Sequence, residues 1–174
     1  MVLLMQNWAG FFTTIASASA TLLGLLFVAI SVNATKSLGA GHDDARRLAE
    51  QGFANYFAVM LVSLAGLFPG TSLATLGMVT ISLNLGGGIW VLIRFWQAVR
   101  DAKQFETGLS SARRHAISAL GFAMLIYAAF HMRFGQPAEA DPYIFASALM
   151  VLMASATLAA WRLLLRLSHL HNRR

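Results

Sequence analysis

Asn84, followed at once by Gly86, Gly87 and Gly88, is the most site-like constellation in the chain. An amide held in hydrocarbon needs partners, because leaving it unpaired is costly. Each glycine weakens a helix by about 1 kcal/mol relative to alanine. Two arrangements fit these residues. The glycines open the helix and offer carbonyls to a cation, as the broken helices of transporters do. Alternatively, Asn84 bonds a neighbouring helix and the glycines admit a bulky side chain. Asn33 and Asn55 form a second polar set, expected at one depth on adjacent helices. They either bond each other or frame a vestibule toward the cytoplasm. A third set is Ala16, Ala20 and Gly24, which share one helical face beside Ser17 and Thr21. Small residues at four-residue spacing let another helix approach closely, so these three are read as a packing seam. The competing reading makes Thr13, Ser17 and Thr21 a pore-lining stripe.

Other chemistry is thin. Five histidines invite a haem or a metal. His115 and His131 share one helical segment but stand sixteen residues apart, about 24 Å at helical rise, so they cannot ligate one iron. His169-Leu170-His171 has metal-binding spacing only within a basic tail. There are no cysteines, which excludes thiol catalysis and Cys-ligated metals. No metalloprotease, serine-hydrolase or phosphate-loop motif is present. Glu139 and Asp141 are read as solubilising and capping residues in a short loop. No Asp, Glu or Lys falls in the middle of an apolar run, which argues against ion pumps and proton-coupled carboxylate transporters. No cofactor and no metal are therefore expected, and the chain is read as non-enzymatic. A haem-binding protein or intramembrane enzyme is the least expected class.

The elements that carry these residues follow from composition. Of 174 residues, 57% are apolar and 11% charged, against about 25% charged in a soluble domain. So few charges cannot cover a soluble globule. A bilayer core of about 30 Å needs about 20 apolar helical residues. Five segments supply them, at about 8–33, 47–68, 72–94, 112–132 and 142–161, with a basic cytoplasmic tail at 162–174. The expectation is an all-α, five-helix transmembrane bundle forming a single domain over 1–174. Pro69-Gly70-Thr71-Ser72 should turn the chain and cap the third helix, and Asp141-Pro142 should open the fifth. Arg46 and Glu50 form an i,i+4 pair in the weaker order. With the N-terminus outside and the C-terminus in the cytoplasm, twelve of the 13 Lys and Arg lie inside and only Arg133 outside. That segregation favours N-out, C-in. The Ala-x-Ala steps at Ala16 and Ala18 mimic a cleavage site, but Met1 to Gln6 has no cation, so the first helix is expected to be retained.

The run Trp8-x-x-Phe11, then Ala18-x-Ala20-x-Leu22-x-Gly24-Leu25-Leu26-Phe27-Val28-Ala29 and on to Ser31 and Asn33, resembles the opening of small bacterial integral membrane proteins of uncharacterised function. The resemblance covers about thirty residues of the chain. It implies a multi-helix membrane protein and no activity. The function expected is that of an inner-membrane protein that forms a homo-oligomer, in its sharper form a small channel. The alternative is an accessory or scaffolding subunit bound to another membrane protein. Expected partners are the bilayer, with anionic lipid at the cytoplasmic face, and no nucleic acid, since the net charge of +6 hugs helix ends without a recognition motif.

Overall fold

The fold is that of a computed structural model, which describes residues 2–32, 43–84, 93, 96, 108–135 and 140–171. Among the described residues the helices that can be followed are α1 (Val2–Val32), α2 (Asp43–Gly66), α3 (Leu73–Asn84), α4 (Gly108–Phe134) and α5 (Asp141–His171). No strand occurs among the described residues. Three stretches, Trp8–Val32, Ala116–Phe134 and Asp141–Leu165, are long and apolar enough to cross a membrane. The expected span at 47–68 falls in α2, which is 24 residues long but is not one of these three. Its charged first turns and the polar residues Gln51, Asn55 and Ser63 dilute its apolar character. Of the expected span at 72–94, α3 accounts for the first half.

The turn between α2 and α3 forms as its residues require. The Thr71 N–H donates to the Phe68 carbonyl at 3.2 Å, and Gly70 sits at φ +75°. Proline then glycine with a positive φ is the pattern of a type II turn. Ser72 caps α3, its hydroxyl accepting the Thr75 N–H at 3.1 Å. At the start of α2, Arg46 pairs with Glu50 at 2.9 Å.

Successive helices run in opposite directions. The Phe12 ring of α1 lies over Gly66 of α2, and Leu26 lies over Gly52, so this pair is antiparallel. Tyr56 of α2 bonds Thr157 of α5, and Gly52 faces Ala159, again antiparallel. Gly121 of α4 meets Leu152 of α5. The start of α1 therefore shares an end of the bundle with the start of α5, where Trp8 makes an edge contact with Tyr143. The last turns of α5 lie at the opposite end, where Leu163 packs with Ala45 and Leu48.

At Gly77, α3 lies close against the backbone of α4. A Cβ on Gly77 would stand 2.5 Å from the Ala129 carbonyl oxygen, so only a glycine Cα–H fits there. One apolar core gathers Phe12, Val59, Leu76, Phe122, Phe145 and Leu149. A void of about 10 Å³ beside Trp8, Leu73 and Met132 has room for one water at most, and its lining is apolar.

α1 buries Phe12, Ile15, Ala16, Ser19 and Leu26, the face that α2 covers. The expected seam is divided. Ala16 is buried, but Ala20 and Gly24 are exposed, and nothing lies within 4 Å of a Cβ on Gly24. These two residues are rotated past the edge of the α2 contact, and no close approach among the described residues uses them. α5 continues as helix to His171, so His169-Leu170-His171 belongs to a helix and not to a loose tail.

Candidate functional site

The polar residues of α2 converge on α4 and α5. Gln51 and Asn55 lie four apart on one face of α2, and each donates a side-chain N–H to Ser118 Oγ of α4, at 2.9 and 2.8 Å. Ser118 Oγ lies 2.7 Å from Ser155 Oγ of α5. All four residues are buried, Asn55 completely. Asn55 Oδ1 has no hydrogen-bond partner. At the next residue of α2, Tyr56 OH and Thr157 Oγ1 are 2.9 Å apart, and Thr157 also donates to its own helix at Met153 O. The node thus joins three helices at one level between apolar layers, Val59 and Leu152 among them. Asn55, Ser118 and Ser155 lie eleven, sixteen and fourteen residues from Gly66, Phe134 and Asp141, roughly 17–24 Å from that end at helical rise.

The arrangement holds neutral amides and hydroxyls and no ionisable group. It can orient helices and accept or donate hydrogen bonds, but it offers no general base and no activated nucleophile. Interhelical bonds of this kind contribute about 0.6 kcal/mol each on average.

A second polar contact closes the Asp141 end. His131 Nδ1 of α4 stands 2.9 and 3.1 Å from the two carboxylate oxygens of Asp141, and the imidazole stacks on Tyr127. Asp141 is only 3% exposed. The expectation of a solubilising residue is corrected: the carboxylate is turned inward, where His131 offsets its desolvation. No group of three or more His, Asp or Glu able to hold a metal occurs among the described residues.

The sequence-predicted residues are distributed as follows. Asn55 lies at the centre of the node. Asn33, its expected partner, and Gly86, Gly87 and Gly88 lie outside the described residues. Asn84 is 2% exposed, and its side-chain N–H donates to the Thr80 carbonyl of its own helix at 2.8 Å. Thr13, Ser17 and Thr21 are exposed on α1, and the Thr21 hydroxyl bonds its own helix at Ser17 O. The stripe is exposed and Asn84 is enclosed, so the two do not line one path among the described residues. Sequence reasoning missed Gln51, Ser118 and Ser155. The i,i+4 pair Gln51 and Asn55 in an otherwise apolar segment was the available signal; two serines in apolar helices gave none. No family model, curated protein or solved structure matches the chain.

Proposed function

We propose that the chain is an inner-membrane protein of five spans, N-terminus outside and C-terminus in the cytoplasm, that works by associating with a second copy through the outer face of α1. The outward apolar side chains of α1, among them Leu25, Phe27, Val28 and Val32, suit lipid, and the twelve-to-one split of Lys and Arg supports the orientation. The basic inner face attracts anionic lipid.

The observation that carries the association is Gly24. A glycine inside a helix costs about 1 kcal/mol relative to alanine, and at Gly24 nothing among the described residues uses the missing side chain. With Ala20 one turn away, also exposed, it makes the shallow surface that helix pairs in lipid require. The small size of both residues has a use if another helix lies there.

Gly24→Leu tests this. Space is open at the Cβ, so the monomer should fold as before. Cross-linking or single-molecule photobleaching in lipid should change from dimers or larger assemblies to monomers. A wild-type protein that is monomeric in lipid overturns the reading. A wild-type protein recovered only with a different membrane protein, and released from it by Gly24→Leu, replaces self-association with the accessory role.

A further inference from the structure

We propose that the polar node of α2, α4 and α5 is a binding site for a single water molecule, bridging Asn55 Oδ1 and Ser155 Oγ. The argument is one of hydrogen-bond valence. A serine hydroxyl has one proton and two acceptor positions. Ser118 Oγ accepts N–H bonds from both Gln51 and Asn55, which fills its acceptor capacity. Its proton therefore goes to Ser155 Oγ, 2.7 Å away. The Ser155 proton then has two places to go, the carbonyl four residues back on α5 or a ligand beside it. Asn55 Oδ1, on the same amide that donates to Ser118, needs a donor. One molecule that donates to Asn55 Oδ1 and accepts from Ser155 Oγ serves both.

That pair of roles selects the ligand class. An anion cannot donate to Asn55 Oδ1, and a hard cation, which takes about six oxygens, finds one unpaired amide oxygen here and cannot accept the Ser155 proton. Water does both in the smallest volume, and buried waters commonly make about three hydrogen bonds to groups that would otherwise lack partners. The other two unpaired buried oxygens, Ser63 Oγ and Thr80 Oγ1, differ in kind. A hydroxyl can rotate its proton onto the carbonyl four residues back, whereas an amide oxygen accepts only. Turning the Asn55 amide over lets Ser118 donate to its oxygen and Ser155 donate to Ser118; the unmet atom becomes Asn55 Nδ2, whose N–H a bridging water accepts while donating to Ser155 Oγ.

Water-edited solid-state NMR on the full chain in lipid bilayers tests the proposal. The Asn55 side chain should receive magnetisation from water about threefold faster than Val59 and Leu152, which are fully buried and apolar. Equal rates at Asn55 and Val59 overturn the proposal. Ser155→Ala keeps both amide bonds to Ser118 and removes one anchor of the water, so transfer to Asn55 should fall by about half or more. Unchanged transfer in that variant overturns the bridging geometry. The wild-type measurement decides the first question even if the variant folds poorly.

Discussion

α1 and α2 pack against each other and follow opposite rules. Of residues 8–32 in α1, five of 25 are buried; of residues 45–66 in α2, eleven of 22 are. Yet α1 carries no charge between Trp8 and Val32, while α2 contains Arg46, Arg47, Glu50, Gln51 and Asn55. In water the more apolar helix would be the inner one. Here the more polar helix is enclosed by its neighbours and the more apolar one faces outward, because in lipid an apolar surface gains nothing from burial while a polar side chain must find a partner. The lesson is that hydrophobicity reports which helix meets the tails, and polarity reports which helix meets other helices.

The largest expected effect tests the interior. Gly77→Ala places a methyl 2.5 Å from the Ala129 carbonyl, and backbone cannot yield as a side-chain tip can. Thermal unfolding in detergent should show a loss of about 3 kcal/mol, the upper range for overpacking. A variant as stable as wild type would mean that α3 does not approach α4 as described. Next is Ser118→Ala, which strips the bonds to Gln51, Asn55 and Ser155 together. A loss of about 2 kcal/mol is expected, several interhelical bonds at the usual modest worth. Gly24→Ala should act in the other sense. With nothing near its Cβ, unfolding in a detergent that holds the protein monomeric should show a gain of up to about 1 kcal/mol from helix propensity. A loss there would place Gly24 in an interior contact and break the contrast with α2. The smallest effect is expected for Asn84→Leu. Its N–H bonds its own helix, so no neighbouring helix loses a donor, and the change should stay within about 0.6 kcal/mol, the mean for an interhelical bond.

Helix positions were legible from residue types with local meaning. Pro69, Gly70 and Ser72 specify the turn and cap that form. Asp141-Pro142 opens α5. The polar node was legible only in part. Asn55 is conspicuous in an apolar segment, but its partner Ser118 lies more than sixty residues away, and Ser155 is reached only through Ser118. Serine is common inside helices that satisfy it locally, as Ser19 does with Ile15 O. Nothing in a single sequence separates such a serine from Ser118. Where the small-residue face points was hidden for a related reason. Four-residue spacing identifies a face, but which face a helix turns inward depends on its neighbours, and on α1 Phe12 and Leu26 settle that against Gly24.

The length of α5 has an electrostatic consequence. Its 31 residues make a rod of about 46 Å, against a hydrocarbon core of about 30 Å. In the proposed orientation, and standing upright from Asp141, the rod leaves the core near Trp161 and carries its remaining turns into the cytoplasm, braced where Leu163 packs with Ala45 and Leu48. Position 162 then lies among the headgroups and position 166 about four residues higher, roughly 6 Å. The final turn stands beyond the screening length of about 8 Å at physiological salt. In that orientation the helix would space positions 162 and 166 by height, and the proposed grip on anionic lipid would be a graded one, strongest at the foot of the mast and faded at its tip.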